Sequence, residues 1–145
     1  MGDSTNRDQN STPKITLKIP GGTMKLRNEE ELLGVIAALM ISKKIDDISS
    51  QVSERSLKLL SERIVEIYEY VAEPDKKFEN VSERWNDQLA KFKYLVTLSY
   101  NNYKIKFVFN SPSFLSGIDT AKKWWDLDIS EKIADQSGNM VRRVK

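Results

Sequence analysis

The sequence predicts an α+β domain, and three patterns in the chain support this prediction. Two stretches alternate apolar and polar residues on both sides of a turn-forming pair, which is typical of β-hairpins. The segment between them repeats apolar residues at spacings of three and four, as amphipathic helices do. We expect the two hairpins to form one four-stranded antiparallel sheet packed on three to four helices, in the order ββ-α-α-α-ββ-α. The alternative is a helical bundle with two peripheral hairpins.

Length and composition indicate one globular domain between two polar tails. The chain has 145 residues, of which 39% are hydrophobic and 30% charged, as in an ordinary soluble domain. We assign residues 1–13 to a disordered N-terminal tail, 14–137 to the domain and 138–145 to a flexible basic tail. No apolar run approaches the ~18 residues of a membrane span, and the first residues resemble no signal peptide. We therefore expect a cytoplasmic location, in the host cell if the protein is viral.

The chain contains neither cysteine nor histidine. Disulfides, thiolate metal sites and catalytic triads built on histidine are therefore excluded. No phosphate-binding loop and no nucleophile elbow is present in the sequence. An enzyme of this composition would depend on carboxylate, lysine, tyrosine or serine chemistry. We expect no enzymatic activity and no cofactor.

The N-terminal hairpin lies in residues 15–27, ITLKIPGGTMKLR. Gly21–Gly22 suits a two-residue turn, and this turn places Lys18 opposite Lys25. The apolar inner face comprises Ile15, Leu17, Ile19, Met24 and Leu26, and the outer face comprises Thr16, Lys18, Lys25 and Arg27. Two opposed lysines repel each other, which is tolerable in solvent and favourable beside an anionic partner.

The first helix is predicted at residues 29–42. Asn28 suits its N-cap, and Glu31 three residues later completes a variant of the capping box. Because this segment is apolar nearly all round, we expect it to be the buried central helix. Gly34 would permit close packing against a neighbour.

Two further helices are predicted before the second hairpin. The first spans residues 54–72 and stops before Pro74, since proline is incompatible with a helix interior. Its inner face comprises Leu57, Leu60, Ile64, Ile67 and Val71, although the same spacing also suits a coiled-coil or partner surface. Asn80 caps the second, a short helix over residues 81–92.

The second hairpin lies in residues 91–109, KFKYLVTLSYNNYKIKFVF. Asn101–Asn102 fits a two-residue turn, because asparagine tolerates the positive φ that such turns require. The implied pairs on the apolar face are Tyr94–Phe109, Val96–Phe107, Leu98–Ile105 and Tyr100–Tyr103. Apart from Leu95 and Val108, the other face carries Lys93, Thr97, Ser99, Lys104 and Lys106. The turn thus fixes the register of the whole hairpin.

A helix over residues 112–125 follows, with Ser111 as its cap and Pro112 at its first position. Ser130 would cap a last short helix that ends at Gly138. No internal repeat is evident in the chain.

The cationic residues of the hairpins are the first candidate binding site. If both hairpins join one sheet, their outer lysines and arginine form one basic surface: Lys18, Lys25, Arg27, Lys93, Lys104 and Lys106. Such a surface could follow a nucleic-acid backbone or contact an acidic protein. Arg142 and Arg143 in the basic tail are further candidate contacts. The alternative is a solvent-exposed sheet face whose lysines keep the protein soluble and discourage edge pairing.

The tryptophan pair is the second candidate. Adjacent helical residues point about 100° apart, so we expect Trp125 to face the core and Trp124 to be partly exposed. Exposed tryptophan is a residue type enriched at protein interfaces. The alternative is that both rings cover the core.

A cluster of carboxylates is the third candidate. Asp126, Asp128 and Glu131 could gather oxygen ligands for Mg²⁺ or Ca²⁺. The calcium loop requires glycine at the sixth position, where this chain has Glu131. We therefore assign no metal to these residues. The alternative to a metal site is that the carboxylates belong to a helix end and act as capping acids.

These patterns favour a small non-enzymatic binding or regulatory protein. It would use a basic sheet face and an exposed aromatic residue to contact a protein or a nucleic-acid backbone, as a compact accessory or viral regulator would. Two alternatives remain: a metal-dependent enzyme at the carboxylate cluster, and a structural subunit that self-associates.

Overall fold

The computed structural model describes residues 15–69 and 91–135 and confirms the α+β class. The elements, in chain order, are β1 (Ile15–Ile19), β2 (Gly22–Leu26), α1 (Glu29–Ile41), α2 (Glu54–Ser61), β3 (Ile64–Glu69), β4 (Tyr94–Tyr100), β5 (Tyr103–Phe109), α3 (Pro112–Trp125) and β6 (Ser130–Asp135). Two short 3₁₀ turns, Ile45–Asp47 and Ser49–Gln51, connect α1 to α2. The predicted tails and most of the predicted helix at 81–92 lie outside the described residues.

The two hairpins do not join in one sheet, so that prediction is wrong. Strands β1 and β2 form a two-stranded sheet of their own. The second hairpin, β4–β5, lies at the centre of another antiparallel sheet whose strand order is β3-β5-β4-β6. Both edges of the second hairpin are therefore occupied by strands that were predicted to be helical, so the first hairpin does not pair with it.

The helix predicted over residues 54–72 ends at Ser61. After a turn, the chain continues as β3, whose sequence IVEIYE is rich in the β-branched and aromatic residues that favour strands. The amide of Val108 donates to the carbonyl of Arg63 at 2.9 Å and so extends the pairing with β5 to the start of β3. Tertiary pairing thus overrides the helical spacing of the apolar residues.

The last short helix predicted from Ser130 is also a strand. In β6, Ile133 pairs with Val96 of β4, and Ser130 pairs with Ser99. Ile129 and Ile133 are both buried. Residues four apart share a side in a strand as well as in a helix, so these two positions could not distinguish the two structures.

Helix α1 is the central element, as predicted, and every residue from Glu31 to Leu39 is buried. The Asn28 side chain caps it by accepting from the amide of Glu31 at 2.9 Å. The carboxylate of Glu31 reaches back to the amide of Arg27 at 3.0 Å and also pairs with its guanidinium. The capping box is therefore present with its return bond displaced by one residue.

Two glycines let α1 and α3 cross with their backbones in contact. A Cβ on Gly34 would overlap the carbonyl oxygen of Phe114 and lie 3.0 Å from the Cα of Gly117. A Cβ on Gly117 would overlap the carbonyl oxygen of Glu31. The close packing expected of Gly34 is confirmed, and so is the start of α3, where Ser111 is the cap and proline occupies the first turn.

The register predicted for the second hairpin is confirmed in all four pairs. In the first hairpin, however, Lys18 lies opposite Thr23 and Lys25 opposite Thr16, so the two lysines are not opposed. The loop residues are Pro20 and Gly21, because proline fixes the first turn position and Gly21 adopts a φ of 90° at the second. Since the register differs by two residues, every side chain keeps its predicted face.

Candidate binding surface

The structure does not assemble the predicted basic surface. Lys18 and Lys25 are exposed on the outer face of the β1–β2 sheet. Lys93 is exposed just before β4, Lys104 is half-buried and Lys106 is buried. Lys18 and Lys25 lie on one sheet, and Lys104 and Lys106 lie on the other, so the two pairs share no sheet face.

Lys106 lies in a part of the outer face of the larger sheet where the neighbouring side chains are also buried. Leu95 and Val108 form a small apolar cluster there with Phe92. Lys106 is only 3% exposed, and its Nζ donates to Oγ1 of Thr97 at 2.8 Å. Leu95 and Val108 were the exceptions to the polar alternation, and they were the available sign that this part of the face is buried.

The outer face of the N-terminal hairpin is exposed along its length. Thr16, Lys18, Thr23 and Lys25 all contact solvent. Arg27 is exposed too, but its guanidinium pairs with the carboxylate of Glu31 at 2.9 Å. Among the described residues, the other cationic groups on this face are two lysines, each opposite a threonine.

One edge of this hairpin is closed by a side chain. The amide of Lys18 donates to Oε1 of Gln51 at 2.7 Å, and Nε2 of Gln51 donates to the Lys18 carbonyl at 2.6 Å. The Gln51 side chain thus forms the same two backbone hydrogen bonds that a neighbouring strand would form. It also shows that the backbone groups of Lys18 point away from β2.

The opposite edge of the hairpin has no partner strand among the described residues. Because bonding directions alternate along a strand, the backbone groups of Thr23 and Lys25 point away from β1, as those of Lys18 do from β2. Over the residues that the structure describes, no hydrogen bond engages the outward groups of Thr23 or Lys25. Within residues 15–69 and 91–135, strand β2 therefore presents two N–H and two C=O groups on an edge that no other strand occupies.

The tryptophan pair adopts the predicted arrangement. Trp125 is half-buried against the core, and its Nε1 donates to Oδ2 of Asp47 at 2.8 Å. Trp124 is 46% exposed. Its Cη2 lies 3.7 Å from where a Cβ on Gly22 would be, so the ring rests beside the first residue of β2.

A second large apolar side chain is exposed in the described part of the chain. Leu57 of α2 is 43% exposed, although the sequence pattern predicted it on the inner face. The pattern failed here because α2 ends after eight residues and buries only Ser56 and Leu60 fully. Leu57 lies on a different element from Trp124 and offers a natural comparison for it.

The candidate metal ligands do not come together. Asp126 ends α3 in the left-handed conformation with φ of 52°, and Asp128 is exposed. Glu131 lies in β6 and pairs with Nζ of Lys122 at 3.1 Å. Across residues 15–69 and 91–135, no group of three acidic side chains could hold a metal ion. Arg142 and Arg143 lie outside the described residues.

None of the described helices is both long and apolar enough to cross a membrane. Comparison of the chain with protein-family models, curated proteins and solved structures found no match.

Proposed function

We propose that this chain is a small non-enzymatic binding protein that contacts a partner protein through its hairpin-tip surface. This surface comprises Trp124, the turn Pro20–Gly21, and the first residues of β2, Gly22 to Lys25. Exposed tryptophan at the centre of an interface is among the side chains that contribute most to binding free energy. The half-exposed indole of Trp124 is the observation on which the proposal depends.

The indole of Trp124 lies against the N-terminal hairpin, next to a half-buried neighbour in α3. Its neighbour Trp125 is held by the core and by the bond to Asp47. The indole of Trp124 lies against Gly22, where the absence of a side chain leaves room for the ring. A ring that is held in place before binding loses less conformational entropy when a partner covers it, so this arrangement suits a contact residue.

A protein partner is favoured over a nucleic-acid backbone by the placement of the cations. Binding to phosphates depends on several lysine or arginine side chains that act together. Here Lys106 is buried, Arg27 is paired with Glu31, Lys104 belongs to the other sheet, and Lys93 directly precedes a strand of that sheet. The hairpin contributes two exposed lysines, which suit acidic groups at the rim of a protein interface.

A capture experiment with matched variants tests the proposal. Immobilised wild-type protein, Trp124→Ala and Leu57→Ala would be exposed to an extract of the source cells, and bound proteins quantified by mass spectrometry. Leu57→Ala is the matched control because it removes an apolar side chain of similar exposure. We expect at least one partner to be lost with Trp124→Ala and kept with Leu57→Ala.

The affinity of the purified partner then gives the size of the effect. Loss of a central tryptophan costs about 2 kcal/mol or more, which weakens the affinity by roughly 30-fold. Identical capture by all three proteins would contradict the proposal. So would a bound fraction that nuclease removes and that falls steeply with salt, since this would indicate nucleic acid.

A further inference from the structure

We propose that the open edge of β2 accepts an extended segment of the partner protein, which adds a third antiparallel strand to the N-terminal hairpin. The segment would carry an acidic side chain opposite Lys25 and an aromatic side chain opposite Gly22. This inference rests on the proposed function, because it specifies how a partner would meet the hairpin-tip surface. Addition of a strand to a free sheet edge is a common mode of peptide recognition.

The two edges of the hairpin differ in a way that favours this use. An unprotected edge is a template for pairing with another chain, and proteins usually cover or blunt it. Gln51 covers the β1 edge with two hydrogen bonds to Lys18. No group in the described part of the chain does the same for Thr23 or Lys25 of β2. The protection of one edge leaves the other as the pairing site.

Strand geometry determines what each residue of the segment would meet. The outward N–H and C=O groups of Thr23 and Lys25 would form four hydrogen bonds with the added strand. Side chains opposite Thr23 and Lys25 would lie on the exposed outer face. Those opposite Gly22 and Met24 would lie on the inner face, because side chains alternate along a strand.

The chemistry of each position follows from its neighbours. Lys25 is exposed and lies opposite a threonine on its other side, so an acidic residue beside it gains a cross-strand ion pair. Gly22 has no side chain, and the ring of Trp124 lies over it, so an aromatic residue opposite Gly22 would lie beside the indole and stack against it. Met24 is buried, which favours an apolar residue next to it.

The recognised segment therefore has a defined order. An antiparallel strand passes Lys25 first and Gly22 last, so its sequence from the N-terminus is acidic, apolar, any residue, aromatic. A second copy of the chain does not meet this requirement. Symmetric pairing of two β2 edges about Met24 would place Thr23 opposite Lys25 and Leu26 opposite Gly22, with neither the acid nor the aromatic ring.

Selection from a peptide library tests the inference. Displayed random peptides of about twelve residues would be selected on the immobilised full chain, and the best binder measured by fluorescence anisotropy. We expect enrichment of the acidic, apolar, any, aromatic order. Enrichment of other patterns, or of none, would overturn the inference.

Variants of the protein locate the bound edge. Lys25→Pro removes one outward N–H at an edge position where proline is tolerated, and we expect it to weaken peptide affinity by about tenfold or more. Thr16→Pro is the matched control, because it places proline opposite Lys25 on the other edge, and we expect a change of less than about twofold. Lys25→Gln keeps the N–H and tests the charge alone. Equal affinities of Lys25→Pro and Thr16→Pro would overturn the inference.

A modified peptide tests the same point without changing the protein. N-methylation of the residue opposite Lys25 blocks a ladder hydrogen bond, whereas N-methylation of the residue opposite Met24 affects an N–H that points away. We expect N-methylation opposite Lys25 to abolish peptide binding and N-methylation opposite Met24 to leave the affinity unchanged. Equal effects of the two modifications would contradict strand addition.

The failure of this inference is distinguishable from failure of the proposed function. A captured partner that needs Trp124 but binds Lys25→Pro normally would overturn the edge pairing and leave the proposed function intact. Peptides that depend on Lys25 but bind Trp124→Ala normally would contradict the aromatic contact. A dimer in sedimentation that Lys25→Pro dissociates would identify a second copy as the occupant and overturn the inference.

Discussion

The two hairpins alternate apolar and polar residues in the same way, yet their polar faces differ in exposure to solvent. Lys25 of the N-terminal hairpin is exposed, whereas Lys106 of the second hairpin is buried. In the described part of the chain, the N-terminal hairpin has no further strand in its sheet, whereas the second hairpin is flanked on both edges. The comparison teaches that alternation assigns a residue to a face, and that the neighbouring elements decide whether this face is exposed.

The hairpins also differ in what supports their inner faces. The second hairpin packs its aromatic residues on α3, where Phe109 stacks on Tyr94 and on Phe114 with ring centroids 5.5 Å apart in each case. The N-terminal hairpin places aliphatic side chains and Met24 into the same core. We expect the second hairpin to belong to the most stable part of the fold and the first to open more readily, as binding segments often do.

The largest expected effect comes from α1, which contacts both hairpins. Gly34→Ala would stabilise an isolated helix by about 1 kcal/mol. In the protein its Cβ would overlap the carbonyl of Phe114, so α1 and α3 must separate. We expect a net loss of about 3 kcal/mol in the free energy of unfolding, measured by denaturant titration.

Hydrogen exchange on the same variant sharpens the comparison. Amides of both hairpins should lose protection, because both rest on the displaced helix. Loss of protection in one hairpin alone would show that α1 does not couple them. A stabilised variant would show that the helix crossing is looser than its geometry indicates.

The second-largest expected effect distinguishes the lysine-bearing faces of the two hairpins by their contribution to stability. Lys106→Ala removes a buried aliphatic stem and the bond to Thr97, and we expect it to lower the free energy of unfolding by about 2 kcal/mol. Lys25→Ala is the matched control on the exposed face and should change it by less than about 0.5 kcal/mol. Thermal and denaturant unfolding of both variants measure the difference. Equal small effects would indicate that the outer face of the larger sheet is accessible to water.

Local chemistry explains which parts of the fold were predictable. The pair Asn101–Asn102 defines a turn by its own backbone preference, so the register of the second hairpin could be derived from sequence. Asn28 and Ser111 define helix starts in the same local way. Strands β3 and β6 were missed because their apolar spacing also fits a helix and their pairing partners are distant in sequence.

The candidate site was predictable to a similar extent. The exposure of Trp124 follows from the angle between adjacent helical residues. The roles of Gln51 and Gly117 could not be derived, because each depends on a partner on another element. Gln51 lies 33 residues from Lys18, and no local pattern marks a side-chain amide that closes a sheet edge. The predicted basic surface failed for the same reason, since it required a sheet assembly that distant strands decide.

The smallest expected effect tests the edge of β1 that Gln51 closes. Gln51→Ala removes two exposed hydrogen bonds to the backbone of Lys18, and we expect it to cost about 1 kcal/mol or less. Ser50→Ala in the same 3₁₀ turn is the matched control. Exchange of the Lys18 amide should accelerate in Gln51→Ala alone, while amides of the second hairpin keep their protection because that hairpin has strands on both edges. An unchanged Lys18 amide would mean that Gln51 does not protect β1, and the two edges of the N-terminal hairpin would then be equally available to a partner.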